Sequence, residues 1–315
     1  VRRGTAKGMR LIVKRILICG VIALLAVAVA YLYREFIQQR CARSARSAEI
    51  LVLGDSQLSF GAGPVLSAFF DVLTNQCREH VDDPLDLGVL KGKRFAMIGT
   101  RSTSLQSWTT SRGKAWELLC HKDKRWGVNA STWGLVKPPD RRYVQIGEGA
   151  NFQFCTPPET PLQNLFATGY YEPELVMIFV GGNGAARLAD NSAMAERDVA
   201  AFLADLPDKT GCVFMMTAPI FSKSHNAKRV AAQAHLRAAF ADHAHRCSFV
   251  DGHTPETRAA IEGKAQFFRR RADGTVKDPY HANEDAAGRF LDLRRGPLCR
   301  ALAKQLRRRA GHGAS

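Results

Sequence analysis

Residues 49–61 read EILVLGDSQLSFG, a short and almost continuously apolar run that closes on a glycine and is followed at once by Asp55 and Ser56. An apolar run of this length, rich in branched side chains, predicts a strand buried on both faces, as a parallel sheet requires. Four further runs of the same kind follow: RFAMIG (94–99), ELVMIFVGG (174–182), CVFMMTAPI (212–220) and CSFVDG (247–252). Helical patterns alternate with them at about 63–77, 187–206, 225–245 and 283–309, the last with an expected interruption at Gly296-Pro297. The alternation predicts an α/β domain, a doubly wound, flavodoxin-like sheet of about five parallel strands flanked by helices.

One region breaks the rhythm. Residues 100–173 are rich in Gly and Pro, show weak periodicity and hold all four tryptophans, Trp108, Trp116, Trp126 and Trp133. An insertion this long is either functional or carries its own small core. Two readings therefore stand: the tryptophans fill that core, or some of them, Trp108 and Trp133 as candidates, line a cleft and stack on substrate.

The chain of 315 residues is 46% hydrophobic and carries a net charge of +16. Such a balance suits anionic partners: phospholipid headgroups, acidic glycans or nucleic acid. Nucleic acid is the weakest of these and not the expected partner, because no DNA- or RNA-reading motif is present; a membrane-surface or nucleic-acid binder driven by charge alone stays a third reading. Part of the charge has another explanation. A basic segment (1–15) precedes ILICGVIALLAVAVAYLY (16–33), 18 residues without a charge that close on interfacial tyrosines. That length and flank predict a single transmembrane anchor with the basic end in the cytoplasm, and Ala28-Val29-Ala30 keeps a cleavable signal peptide as the competing reading. Either way the domain at 49–315 is exported, with residues 34–48 as a linker; the anchor reading, which is preferred, predicts a bacterial inner-membrane protein with its domain in the periplasm.

Export changes how cysteines are read. Beyond Cys19 and Cys41 lie Cys77, Cys120, Cys155, Cys212, Cys247 and Cys299. In an oxidising compartment these allow up to three disulfides, with Cys212 and Cys247 each opening a predicted strand and so able to meet on neighbours. No C-x-x-C pair is present, so no zinc site is expected. His225, His235, His243 and His245 are read as a solvated helix face. No metal and no cofactor is expected.

In an open parallel sheet, ligands bind beyond the carboxyl ends of the strands. Ser56 follows the first strand, Gly99 the second and Asn183 the third, and KDPYHANEDAAGRFL (277–291) places Asp278 and His281 ahead of the last helix. Acyl transfer through serine needs a nucleophile, a base, an acid that orients the base, and donors for the oxyanion. Ser56, His281 and Asp278 suit the first three roles. The backbone N–H groups of Ser56 and Gly99 and the side-chain amide of Asn183 suit the fourth. Plainer readings exist for each. Ser56 can cap a helix, Asn183 can hold a turn between glycines, and Asp251 with His253 forms a rival acid–base pair.

Gly54-Asp55-Ser56, Gly99, Gly181-Gly182-Asn183 and Asp278-Pro279-Tyr280-His281 stand in an order that resembles the blocks of the SGNH (GDSL-type) hydrolases. The resemblance implies Ser56 as nucleophile, Gly99 and Asn183 in the oxyanion hole, and Asp278 and His281 completing a triad. It spans about 49–306, leaves the insertion unmatched, and departs from the family at Gln57-Leu58-Ser59 and at Gly184, where an aspartate is usual. The implied activity is that of an esterase or O-acyltransferase acting through an acyl-serine on ester-linked acyl groups, with acetyl on a cell-envelope glycan as the first expectation. A lipid ester at the membrane surface is the alternative substrate. A catalytically silent glycan-binding protein is the alternative class.

Overall fold

The computed structural model describes residues 17–33, 48–60, 76–123, 128–129, 133–136, 144–148, 154–167 and 171–312. Most of the helix expected at about 63–77 lies outside them, as do Cys41 and Trp126. The chain divides into two units, Val1–Cys41 and Ala42–Ser315.

In the first unit, residues 17–33 are helical. Leu17, Ile18, Val21, Ile22, Leu24, Leu25, Val27, Val29 and Leu32 all have side chains open to their surroundings, so the helix is apolar and exposed on every side. Among the described residues no helix is long and apolar enough to cross a membrane. Ile16, the first residue of the expected span, is outside them.

The second unit is built on a seven-stranded sheet. Its strands are β1 (Ile50–Gly54), β2 (Phe95–Gly99), β5 (Trp133–Val136), β6 (Val144–Glu148), β7 (Leu175–Val180), β8 (Gly211–Met216) and β9 (Cys247–Val250), in the order β6-β5-β2-β1-β7-β8-β9. Two short strands, β3 (Lys122–Asp123) and β4 (Val128–Asn129), pair separately. The five predicted strands are the five parallel ones, β2-β1-β7-β8-β9. The insertion supplies what the sequence reading lacked: β5 and β6 form an antiparallel pair that docks on β2 and widens the sheet. β1, β2, β7 and β8 are buried throughout, which is why their sequences run apolar without alternation. At their amino ends the Arg94–Glu49 (2.9 Å) and Lys93–Glu174 (2.6 Å) ion pairs link the loops.

Helix Glu284–His312 packs one face of the sheet, with Phe290, Leu298, Leu302 and Leu306 in the main core beside Val52, Met97, Met177 and Met215. The interruption expected at Gly296-Pro297 does not occur, and Pro297 sits inside a continuous helix. The proline forfeits only the bond to the Leu293 carbonyl, and Leu293 lies on the exposed side at 40% exposure, where water can replace the lost donor. Leu298 and Cys299, fully buried just beyond, hold the helix on course. On the other face, helix Lys223–Ala241 lays Phe240 against Phe214 of β8, with ring centroids 5.1 Å apart. The predicted helix at 187–206 is two helices, Ala185–Ala189 and Ser192–Asp205, with Asn191 at the second N-cap.

Three disulfides join Cys77–Cys299, Cys120–Cys155 and Cys212–Cys247. The last joins partners in the β8/β9 register, as parallel neighbours allow. Cys120–Cys155 closes the insertion around Trp108, which is fully buried and packs on Phe154 at 5.4 Å.

Candidate active site

The strand order reverses around β1, whose neighbours β2 and β7 lead away on opposite sides, so a crevice opens beyond its carboxyl end. Ser56 stands there as the first residue of the short helix Ser56–Ser59. The capping role falls to Asp55, whose Oδ1 accepts the Gln57 N–H at 2.9 Å. Ser56 is thereby released from it, and its hydroxyl has no hydrogen-bond partner among the described residues. Gly54 and Gly99 are register partners in β1 and β2. A Cβ on Gly54 would meet Leu58 at 2.2 Å, and one on Gly99 would meet Ser59 at 3.0 Å. The two glycines let the short helix lie directly on the strand ends. Gly99 itself is buried in the ladder between Gly54 and Trp133, so packing beneath Ser59 is the visible reason for a glycine there.

Gln57, buried beside Ser56, holds the turn from the other side. Its Nε2 donates to the Ala218 carbonyl (3.1 Å) and its Oε1 accepts the Ala218 N–H (2.9 Å), clamping the serine turn to the segment after β8. Gln57 at this position is thus a structural tie.

Asn183 lies after β7 in a turn that needs its glycines, with φ of +136° at Gly181 and +81° at Gly184. Gly184 takes the left-handed N-cap of helix Ala185–Ala189, a conformation an aspartate would adopt only with strain. One N–H of the Asn183 amide donates to the Thr103 carbonyl at 3.0 Å, leaving the other for a substrate oxygen. The loop it grips, 100–104, is also tied by the Thr100 N–H to Gly54 (3.0 Å) and by Thr103 Oγ1 to the Thr100 carbonyl (2.8 Å). Within it Ser102 has φ +64°, the one positive value at a non-glycine among the described residues. Such strain persists where surrounding contacts impose it.

Asp278 and His281 sit at the base of a hairpin bridged at Phe268–Ala282 and Arg270–Val276. His281 Nδ1–H donates to Asp278 Oδ2 (2.9 Å) and Oδ1 (3.1 Å), the tautomer assigned from the carboxylate partner. The same carboxylate accepts the backbone N–H groups of Tyr280 (3.1 Å) and His281 (3.2 Å). Burial pushes the Asp278 carboxyl up, but the imidazole and these N–H groups outweigh it and hold its pKa below the ordinary value. His281 Nε2 is buried with no hydrogen-bond partner among the described residues. Phe60, just past the serine helix, sets its ring edge-on to the imidazole at 4.7 Å. Beside the pair a cavity of about 520 Å³ is lined by Phe60, Phe268, Arg269, Asn283 and Glu284. The nucleophile segment and the acid–base segment therefore meet through Phe60, while no hydrogen bond joins Ser56 to His281.

The sequence reading missed Arg229. Helix Lys223–Ala241 buries Asn226, Arg229, Ala232, Gln233, Leu236 and Phe240 on its inner stripe. The signal was present as polar residues on apolar spacing. Asn226 clamps the Ile220 backbone (3.0 and 2.7 Å), and Gln233 Oε1 accepts the N–H groups of Gly252 (2.9 Å) and His253 (2.8 Å). Arg229 donates to the Ala218 carbonyl at 3.2 Å, the same oxygen that Gln57 holds. A Cβ on Gly182 would stand 2.5 Å from its Nη2. Its charge acts on Asp55, whose carboxyl is pushed up to about 6 by burial, with the Gln57 N–H, Arg229 and His281 opposing. One guanidinium thus sits beneath the serine turn, the Asn183 turn and the end of β8.

Other expectations fall elsewhere. Trp108 lines no cleft, because it is fully buried as core of the insertion. Trp133 lies on β5, and its side chain is outside the described set. The rival pair does not form. Asp251 is bound by Arg237, and His253 is buried, with burial first and the charges of Arg229 and Arg258 next holding its pKa well below the imidazole value. His235 is partly buried and lies 2.7 Å from the Leu188 carbonyl, so the four helix histidines are not one solvated face. Among the described residues no group of three or more His, Cys, Asp or Glu side chains is placed to hold a metal ion. Neither a family model nor a curated protein matches the chain.

Proposed function

We propose that the protein is a serine hydrolase of the SGNH type acting on ester-linked acyl groups. The observation that carries this reading is the Asp278–His281 pair: Nδ1 is held by the carboxylate, Nε2 is buried without a partner among the described residues, and the ring meets Phe60 at the end of the Ser56 segment. In the mechanism, His281 Nε2 takes the Ser56 proton as Oγ attacks the acyl carbon. The oxyanion so formed is met by backbone N–H groups of the serine turn and by the Asn183 amide. Collapse expels the alcohol, which leaves with the proton from His281. Water, or a second alcohol, then attacks the acyl-serine with the same base and releases Ser56.

The six bonded cysteines favour an oxidising compartment, and the exposed apolar helix at 17–33 favours attachment to a membrane. With the net charge of +16, these features favour an acylated envelope glycan as substrate over a soluble ester. The absence of a Ser56–His281 hydrogen bond favours one other reading, a silent glycan-binding protein. Catalytic hydrogen bonds often tighten only with substrate present, so we rank it second. A fluorophosphonate probe separates the two. Wild type should be labelled covalently, Ser56→Ala not at all, and His281→Ala at least a hundredfold more slowly. An unlabelled wild type, or a labelled Ser56→Ala, rejects the esterase.

A further inference from the structure

Two arginines stand by this site, Arg269 in the cavity wall beside His281 and Arg101 against the Phe60 ring. Arg101 projects from the strained loop 100–104 and stacks its guanidinium over the Phe60 ring, 4.7 Å from the centroid, on the ring whose edge meets His281. Its Nε is buried without a hydrogen-bond partner, and no carboxylate pairs with it among the described residues. Arg269 lines the cavity itself and is likewise without an ion pair among the described residues. It stands on the hairpin that carries the acid–base pair, next to Arg270, Arg271 and Lys277. The acids of that hairpin are already engaged: Asp273 holds the Thr275 N–H (2.9 Å) and hydroxyl (2.7 Å), and Asp278 holds His281. Glu284, the remaining acid at the cavity, lies in the first turn of helix Glu284–His312, where the helix dipole stabilises a carboxylate.

A stacked arginine has lost much of its side-chain freedom before any ligand arrives, and a planar guanidinium with open donors matches a carboxylate or phosphate. The cavity walls include Phe60 and Phe268, with Glu284 beside Asn283, whose amide is engaged by the Gln266 carbonyl (2.9 Å) and the Ala286 N–H (3.1 Å). Aromatic faces, one arginine in the wall of a cavity of about 520 Å³ and a second stacked on its Phe60 side chain suit an acidic sugar unit better than an acyl chain. We propose that Arg101 and Arg269 form an oxyanion-binding subsite, and that the ester is carried on an anionic glycan whose carboxylate or phosphate docks there. The proposal deepens the esterase reading and rests on it for the position of the ester.

Isothermal titration of the full chain with size-matched dextran, carboxymethyl-dextran and dextran phosphate tests the subsite by binding alone. At low salt the wild type should bind one or both anionic polymers about tenfold more tightly than dextran. The favoured polymer identifies the oxyanion. Arg101→Gln/Arg269→Gln should lose most of that preference. Arg197→Gln/Lys304→Gln, which removes the same charge away from the cavity, should keep it. Equal binding of all three polymers overturns the proposal, and so does an equal loss in both double variants, which would reduce the effect to overall charge. Retention on anionic phospholipid vesicles that depends on Arg101 and Arg269, without polymer preference, overturns it in favour of a lipid surface. Should Arg101→Gln unfold, as melting would show, exposed Arg269→Gln alone carries the same comparison. Fluorophosphonate labelling of the same samples reports on the esterase separately. Selective binding without labelling rejects the chemistry, and labelling without selective binding rejects the subsite.

Discussion

Ser56 and Arg229 mark the two limits of what residue identities reveal. Ser56, Asn183, Asp278 and His281 could be singled out as candidates because chemistry restricts which residue types can serve and topology restricts where they stand. Arg229 was not, because an arginine within an amphipathic helix reads as solvated surface until its neighbours on the inner stripe are known. Its burial has a measurable cost. Replacing Arg229 by Met leaves the Asp55 carboxylate buried without its cation and should lower stability by about 3–5 kcal/mol in urea denaturation at pH 8. Adding Asp55→Asn should recover part of that loss. Asp55 also sets a pH dependence. Its folded pKa of about 6 exceeds its ordinary 3.8, so between these values the folded state keeps a proton that the unfolded chain has released. Stability should therefore be greatest on this account below about pH 4, fall as pH rises to about 6 and level off above it. Asp55→Asn should abolish that fall, which urea midpoints from pH 4 to 8 would show.

At the scale of elements, the parallel strands were read correctly because burial on both faces leaves an unbroken apolar run. β5 and β6 were not, since short antiparallel strands at a sheet edge carry no such run and WGLV (133–136) is indistinguishable from loop. Pro297 misled for a related reason: sequence shows the missing N–H, whereas the exposure of Leu293 that makes its loss tolerable is tertiary. Gly184 belongs to this scale as well, because its left-handed φ joins β7 to helix Ala185–Ala189. Gly184→Ala should cost about 1–2 kcal/mol in denaturation midpoints, as an L-residue forced into that region does. It should also slow probe labelling by displacing Asn183.

Across the whole molecule, the even cysteine count was readable and most of the pairing was not, because Cys77 and Cys299 are brought together only by the docking of the last helix. Their bridge closes a loop of 222 residues. Cys77→Ser/Cys299→Ser should lower stability by about 2–5 kcal/mol, read from urea midpoints against an intact control.

The hairpin at 268–282 adds a consequence in time. The serine turn, the asparagine turn and Arg229 are all synthesised before Asp278 and His281, and His281 reaches Phe60 only when the hairpin and its following helix close over strands made long before. On the proposed mechanism, a chain that has not yet closed this hairpin holds a hydroxyl with nothing to deprotonate it. Competence would then appear in a single late step, and the proposed acyl-transfer activity would serve as a clock for the completion of folding.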